Sequence, residues 1–200
     1  ANTNPPMERN VILEGIVTTT SSTGQLNIAP MGPSIESSMD HFLLRPFQSS
    51  QSFQNLKQSH KGVLHVVDDV ELVARAAIDQ WEDQPATREL ESGNGTILVD
   101  CCRWYAFAVQ ELDDSSERAR LHCEVVEQGR VRDFWGFNRA RHAVLEAAIL
   151  ATRVGLIPAE EIQQQMQQLA SPVEKTAGDT ERRAFALLEQ YIETSLASSR

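Results

Sequence analysis

The 200-residue sequence predicts a mainly β fold, an antiparallel barrel followed by a C-terminal helical appendage. Two observations lead to this prediction. Short segments rich in β-branched residues alternate with turn residues as far as Gly129, with two short helical patterns between them. After Gly129 the apolar residues recur at helical spacing instead. Six strands and two helices in a mostly antiparallel order are typical of a closed barrel. We expect a flexible N-terminus over residues 1–10, a barrel domain over 11–131 and a helical subdomain over 132–200.

The first strands are predicted to form a hairpin. Residues 11–20, VILEGIVTTT, are rich in β-branched side chains and predict a strand. The turn is SSTGQ, and the segment LNIAPM over 26–31 returns as the antiparallel partner. The segment HFLLRPF, residues 41–47, predicts another strand that ends at Pro46.

A short helix is predicted to separate the next two strands. The segment QSFQNLKQSHKG, residues 51–62, carries apolar residues at helical spacing, and we expect Gly62 to stop the helix. The segment GVLHVVDD over 62–69 then predicts a strand.

A second short helix and a long hairpin complete the predicted barrel. Either Asp68 or Asp69 can cap a helix over residues 70–78. Residues 96–112 form one long strand pattern, which is too long to stay straight, so we expect a bend or a bulge. Residues 119–129 are expected to be its hairpin partner.

Three amphipathic helices are predicted after the barrel. The first covers residues 137–155, where Asn138 can cap its start and Gly155 can end it. Pro158 opens the second helix, and Thr180 can cap the third. Their apolar stripes must pack on each other, on the barrel or on a second subunit.

Composition excludes some classes of function. The net charge is −10, from 18 basic and 28 acidic side chains, which argues against a nucleic-acid-binding surface. A small anionic ligand in a local cationic pocket remains compatible with this charge. We find no apolar run near ~18 residues and no signal peptide pattern, so we expect a cytoplasmic protein without membrane contact.

The cysteines and histidines do not predict a metal site. The three cysteines cannot all pair internally, and Cys101 and Cys102 are adjacent, so on a strand they would point to opposite faces. Free buried thiols in a reducing compartment are the expected state. The five histidines share no metal-ligand spacing, and we predict no metal.

The segment RPFQSSQSFQNLK, residues 45–57, is a candidate phosphate site. Arg45 lies at the end of a predicted strand, Ser50 and Ser52 lie at the start of the short helix, and Asn55 lies one turn further on. Free N–H groups at a helix start, serine hydroxyls and a guanidinium are the donors that bind phosphate. A serine-capped helix after an ordinary turn is the alternative interpretation.

The segment LNIAPMGPSI, residues 26–35, ends a strand in an unusual way. Asn27 and Ala29 share one face, and two prolines and a glycine follow. A turn alone needs only the glycine and proline, whereas a flat aromatic ligand lying on exposed main chain also needs small side chains. Both interpretations are open from these residues alone.

Arg139 lies near the predicted start of a helix, where a cation is electrostatically unfavourable. This position indicates an acidic partner, an anionic ligand or a solvated side chain.

The quoted segments together resemble the flavin-reductase-like, FMN-binding split-barrel superfamily. The resemblance rests on the Thr-Thr strand end, the Gly turn, the N-x-A-P strand and a following helix that carries an Asn. The motifs LEGIVTT, NIAPMGP, RPF and FNRARHAVLEAAILATR further resemble an uncharacterised family within that superfamily. The match covers most of residues 11–155.

The resemblance implies an FMN whose ring lies on the N-x-A-P strand and whose phosphate lies at the helix start. It also implies a homodimer with the flavin near the interface. The Lys and Asp of the superfamily's K-D-T motif are Ser50 and Gln51 here, so Arg45 or Arg139 would have to replace the missing cation. The cofactor-binding residues that it implies are Thr18, Thr19, Asn27, Ala29, Pro30, Met31, Gly32, Arg45, Phe47, Ser50, Ser52, Asn55 and Arg139.

The function that follows is an FMN-dependent oxidoreductase or flavin reductase of unknown substrate. A non-catalytic flavin-binding or scaffold protein is the alternative, and a split barrel that binds another planar ligand is a third. We assign no catalytic side chain, because a flavin carries the hydride or electron chemistry itself.

Overall fold

The computed structural model describes residues 10–198, in which ten strands and five helices alternate along the chain. The predicted flexible segment 1–10 lies outside the described residues apart from Asn10. The strands are β1 (Val11–Ile12), β2 (Gly15–Thr20), β3 (Leu26–Met31), β4 (Ser34–Ile35), β5 (His41–Leu44), β6 (Lys61–Val66), β7 (Thr87–Glu89), β8 (Thr96–Leu98), β9 (Arg103–Asp113) and β10 (Arg120–Arg130). The helices are α1 (Gln51–Ser59), α2 (Val70–Ile78), α3 (Arg139–Ala151), α4 (Ala159–Thr176) and α5 (Asp179–Ser198).

Eight strands form one antiparallel, curled sheet in the order β1-β4-β5-β10-β9-β6-β2-β3. The order starts at β1 and ends at β3, so the ladder does not close on itself. The closed barrel suggested by the strand pattern is therefore wrong, and the sheet is a split barrel. Strands β7 and β8 form a separate hairpin.

Two hydrophobic cores lie on the two faces of this sheet. One core fills the barrel and includes Val17, Phe107 and residues of α1 such as Phe53. The other core lies between the sheet and the helices α2 to α5, and it includes Ile16. Because neighbouring side chains on a strand point to opposite faces, β2 is buried on both sides.

The C-terminal helices form one layer around α2. Helix α3 packs against α2, α4 and α5, and α2 also packs against β3. The apolar side of α3 is wide, since seven of its residues are buried: Ala140, Ala143, Val144, Ala147, Ala148, Leu150 and Ala151.

Several predicted elements begin or end elsewhere. Helix α1 ends at Ser59, where His60 takes the left-handed conformation with φ of 54°, while Gly62 lies inside β6. Strand β5 ends at Leu44, so Arg45 lies beyond it. The gap between β8 and β9 breaks the predicted strand 96–112.

The break between β8 and β9 changes the setting of two cysteines. Cys101 and Cys102 lie in the connection rather than on opposite faces of a strand, and both are buried. All three cysteines are free, and burial raises the pKa of Cys101 to about 11. The expected bulges do occur, but in the β9–β10 ladder, where the register shifts twice.

Some of the predicted helix caps occur in the structure, and others do not. Asp69, one of the two candidates, caps α2 by accepting from the Glu71 and Leu72 N–H groups. Asn138 caps α3 as predicted, but α3 ends at Ala151, before Gly155. Thr180 is not the cap of α5, because that helix already starts at Asp179.

A buried carboxylate joins the barrel to the helical layer. Asp68 follows β6 and accepts two hydrogen bonds from Arg132, at 2.6 and 2.9 Å, and one from the Trp135 N–H at 2.9 Å. The hydrogen bonds from Arg132 hold the pKa of Asp68 below its usual value. Arg141 of α3 lies 3.9 Å from the same carboxylate and donates to Glu181 of α5.

Within residues 10–198, no helix combines the length and the apolar composition that a membrane span requires.

A buried histidine makes the stability of this fold depend on pH. His65 of β6 is fully buried; its Nδ1 lies 3.2 Å from the Ile16 carbonyl oxygen, and its Nε2 accepts from the Leu98 N–H at 3.0 Å. Burial lowers the pKa of His65 to about 4. The neutral ring is therefore the form that fits the folded chain.

We expect the free energy of unfolding to fall as the pH drops from about 6.5 towards 4. In this window the unfolded chain binds a proton at His65 that the folded chain does not, and the full effect is about 3 kcal/mol. Urea unfolding at several pH values, compared between wild type and His65→Gln, isolates this contribution. The exposed His122→Gln is the control. An identical pH slope in wild type and His65→Gln would contradict the assignment.

Candidate functional site

The start of α1 presents unpaired donors beside a serine cap. The Ser50 hydroxyl accepts from the Phe53 N–H at 3.2 Å and donates to the Phe47 carbonyl oxygen at 2.8 Å. The N–H groups of Gln51 and Ser52 have no acceptor in the described part of the chain, as is usual for the first turn of a helix. This helix end is therefore free to bind an anion.

Side-chain hydrogen bonds fix α1 to β2. The Asn55 side-chain amide donates to the Thr19 hydroxyl at 3.0 Å, and the Gln51 side-chain amide donates to the side-chain Oδ1 of Asn55 at 2.8 Å. Both Thr19 and Asn55 are buried. Since buried polar groups are costly without partners, this chain of bonds holds α1 in one position on β2.

A further bond ties α1 to β3. The Asn27 amide donates to the buried Ser52 hydroxyl at 3.0 Å. In the ladder, Asn27 lies opposite Thr19 and Ala29 lies opposite Val17, so both face the same side as α1. The fold thus brings together Asn27, Ser52 and Asn55, which the sequence analysis predicts for one site.

Strand β3 is open on one edge and half-exposed along its length. Among the strands of residues 10–198 it is the last of the sheet, so only one of its edges is paired in the described ladder. Met31 packs against the barrel core, on the α1 side, whereas Ile28 belongs to the helical core. Pro30 lies opposite Ile16 and so faces the helices, and Gly32 is exposed beyond the strand end. The strand thus offers a small-residue face next to free main chain.

Thr18 and Thr19 point in opposite directions. Thr18 is buried, and its hydroxyl donates to the Thr96 carbonyl oxygen at 2.6 Å, on the side away from α1. A cleft of about 290 Å³ opens there between the ends of β2 and β6 and the β7–β8 hairpin. Lys61 spans part of it by donating to the Gly93 carbonyl oxygen. Thr18 therefore holds the hairpin rather than α1.

A cation that sequence reasoning missed lies near the start of α1. The Arg118 guanidinium lies 4.6 Å from the centre of the Phe47 ring, and its Nε donates to the Arg45 carbonyl oxygen at 3.2 Å. Phe47 and Arg118 also form an isolated β-bridge. Arg45 is exposed beside them. No local signal marks Arg118, because 71 positions separate it from Phe47 in the sequence.

Arg139 lies in a different place. It lines a groove of about 450 Å³ between α3 and α4, together with residues that include His142 and Pro172, and none of the α1 residues described above lines that groove. Within one copy, the fold does not bring Arg139 to the start of α1. No acidic side chain of the described residues forms an ion pair with it.

Clusters of His, Cys, Asp or Glu that could hold a metal ion are absent from residues 10–198.

Family comparisons match almost the whole described chain. The model of the "Protein of unknown function (DUF447) N-terminal domain" matches residues 13–132, and the model described as "Protein of unknown function (DUF447)" matches residues 138–190. No curated protein matches the chain.

Solved structures share the fold. An FMN-bound protein from Methanosarcina mazei, assigned to the same family model, is 23% identical, with a TM-score of 0.77 over 92% of this chain and 96% of that one. A flavin reductase domain protein from Arthrobacter sp. FB24 is 19% identical, with a TM-score of 0.52 over 64% of this chain and 82% of that one. The styrene monooxygenase flavin reductase from Pseudomonas putida S12 is 12% identical, with a TM-score of 0.51 over 62% and 82%. These similarities confirm the split-barrel fold.

We expect Asn55→Ala to lower the free energy of unfolding by about 1–3 kcal/mol, because the substitution leaves the buried Thr19 hydroxyl without its amide donor. Urea unfolding measures the change. Gln58→Ala, an exposed substitution on the same helix, is the control and should stay within about 0.5 kcal/mol of wild type. Equal stability of the two variants would show that the network does not hold α1.

Proposed function

The chain belongs to the DUF447 family, and from this we propose that it binds FMN and acts as a flavin-dependent oxidoreductase or flavin reductase. One observation carries the proposal: the M. mazei protein of the same family model is FMN-bound and shares the fold over 92% of this chain. The anion-binding helix start and the small-residue face of β3 support the same ligand.

The start of α1 is the proposed phosphate site. The free N–H groups of Gln51 and Ser52 and the Ser50 hydroxyl supply neutral donors, and the helix dipole adds positive potential. Arg118, whose guanidinium lies over the Phe47 ring, and the exposed Arg45, whose carbonyl oxygen accepts from Arg118, supply charge. These two arginines make up for the lysine that this chain lacks at the helix start.

The face of β3 is the proposed site for the flat ring. Asn27 and Ala29 offer an amide and a small side chain on the side that α1 borders, and Met31 follows on the same face. Main-chain groups of the segment from Pro30 to Gly32 are the proposed partners of the polar edge of the ring. Thr19 and Asn55 act indirectly, because they hold α1 against the strand.

Bound FMN would supply the hydride or electron transfer. The residues of this chain bind the group, orient it and shield one of its faces. We assign none of them to proton transfer, since no acid–base pair lies among the residues of this site.

The FMN-bound M. mazei protein also favours a second candidate, a flavin-binding protein without catalytic activity, in which the helical layer serves assembly. Reaction of the bound flavin with a reduced nicotinamide distinguishes the two candidate functions. Bleaching of the bound flavin by NADH or NADPH supports a reductase. A bound flavin that stays oxidised with both donors, and also with redox proteins that dithionite has reduced, supports the binding protein.

We also propose a homodimer with the flavin near its interface, in the cytoplasm. The half-buried side chains on α3, among them Leu145 and Ile149, support the dimer, because the described chain leaves them partly uncovered. Three free, buried cysteines support a reducing compartment.

The decisive experiment is to identify the bound group. Purified protein should show flavin absorbance, and mass spectrometry of the molecule released on denaturation should give FMN. Apo protein that takes up neither FMN nor FAD nor riboflavin would overturn the proposed function.

We expect Arg118→Ala and Arg45→Ala each to weaken FMN binding by about 1.5–3 kcal/mol, because each removes a charge-assisted contact to the phosphate. Riboflavin, which lacks the phosphate, should bind these variants as it binds wild type. Titrations of apo protein with both flavins measure the difference, with the exposed Arg88→Ala as control. Equal losses for both flavins would remove these arginines from the phosphate site.

We expect Ile149→Glu to dissociate the dimer and to release FMN, because it places an unpaired charge in a partly buried apolar contact. Light scattering and flavin absorbance measure the two effects, and circular dichroism checks the fold. Leu156→Glu, at a position that is 77% exposed, is the control. A folded monomer that keeps FMN at wild-type affinity would break the proposed link between dimer and site.

A further inference from the structure

One stripe of α3 is largely exposed, and its charged side chains have no partners among the described residues. The residues of this stripe are the exposed Arg139, His142 and Glu146 and the half-buried Ile149, at spacings of three and four. Neither Arg139 nor Glu146 forms an ion pair or a side-chain hydrogen bond within residues 10–198. The rest of α3 is buried or half-buried against α2, α4 and α5.

Apolar surface surrounds this stripe. Phe137, two residues before α3, is 91% exposed, and its ring stacks on His142 with 5.9 Å between ring centres. The stripe also borders the groove between α3 and α4, whose lining residues are Arg139, His142, Ala143, Glu146, Leu169, Ser171 and Pro172. A protruding ring and a receiving groove therefore lie side by side on one surface. Exposed apolar surface of this kind marks an interaction site.

The order of the charges on the stripe makes the surface complementary to itself. A two-fold axis that crosses α3 between His142 and Ala143 is equally far from Arg139 and Glu146, about 5 Å along the helix in either direction. If a second α3 runs antiparallel across this axis, Arg139 of each copy lies opposite Glu146 of the other. The same axis brings Phe137 of one copy to within about one residue of the level of Ile149 of the other. A two-fold interface requires such reciprocal pairs.

We infer that a second copy of this chain docks antiparallel along α3, with reciprocal Arg139–Glu146 ion pairs and reciprocal Phe137–Ile149 contacts. The inference rests on the homodimer of the proposed function and specifies its surface. It also accounts for an arginine at the first position of a helix. The cation is unfavourable there within one copy, and the carboxylate of the second copy offsets it.

Charge reversal tests the pairing. Arg139→Glu gives a chain with two carboxylates on the stripe, and Glu146→Arg gives a chain with two guanidinium groups. Each variant replaces two attractive pairs by two repulsive ones, so each homodimer should be weakened about tenfold or more. Arg88→Glu and Glu91→Arg, at exposed positions outside α3, are matched controls and should dimerise like wild type.

Two rescues follow from the antiparallel register. An equimolar mixture of the Arg139→Glu and Glu146→Arg chains should form a heterodimer, because both of its charge pairs are attractive. The double variant Arg139→Glu/Glu146→Arg should form a homodimer of near wild-type affinity. Phe137→Ala should weaken the dimer by the same factor at low and at high salt. The dimer affinity of the charge variants should instead change with the salt concentration. Sedimentation analysis measures all of these, with circular dichroism as the check on folding.

The outcomes separate the inference from the function on which it rests. A wild-type monomer, or single variants that dimerise like the controls, would overturn the α3 interface. If the single variants dimerise weakly and neither mixing nor the double substitution restores the dimer, the antiparallel register is wrong. Flavin absorbance is recorded separately. A chain that dimerises as described yet binds no flavin contradicts only the proposed function, and one that binds FMN as a monomer contradicts only the dimer.

Discussion

The buried carboxylate of Asp68 determines how the helical layer is placed on the barrel. A charge in that position is tolerated only when hydrogen bonds and an opposite charge compensate its lost hydration. Arg132 and the Trp135 N–H supply them, and both belong to the connection that leads from β10 into α3. The start of α3 is therefore positioned by a group at the end of β6. Trp135 in turn covers Arg141, whose guanidinium lies 4.8 Å from its ring centre.

Strand β2 lies between the two apolar cores of the molecule. Its side chains alternate between a core shared with α1 and a core shared with the helical layer, and its centre is buried on both faces. Two adjacent hydroxyls are tolerated there because each has its own partner, the Asn55 amide for Thr19 and the Thr96 carbonyl oxygen for Thr18. The proposed flavin site thus needs only one face of the sheet, and the other face is available for the helices.

Local interactions were predictable from the sequence, and distant ones were not. The hairpin of β2 and β3, the bounds of α2 and the caps Asp69 and Asn138 depend on groups a few residues apart, which a linear pattern records. Arg118 reaches Phe47 only because β10 begins beside the segment that follows β5, and no spacing rule encodes that approach. The break at Cys101 was missed for the same kind of reason. The apolar pattern continues through it, and only the ladder with β10 shows where pairing stops.

Helix α2 connects the two surfaces that the proposals concern. It packs against β3 on one side and against α3 and α5 on the other, within a single apolar core that also holds Ile28. Ile28 lies between Asn27 and Ala29, whose side chains face the proposed ring site, so the reverse side of that site rests on the core beneath α2. Well-packed cores transmit displacement because they contain few voids. A partner that clamps α3 therefore limits the motion of α2, and through α2 it limits the motion of an edge strand that has only one hydrogen-bonded neighbour. This packing gives a physical reason for the proposed dimer and the proposed flavin site to be linked.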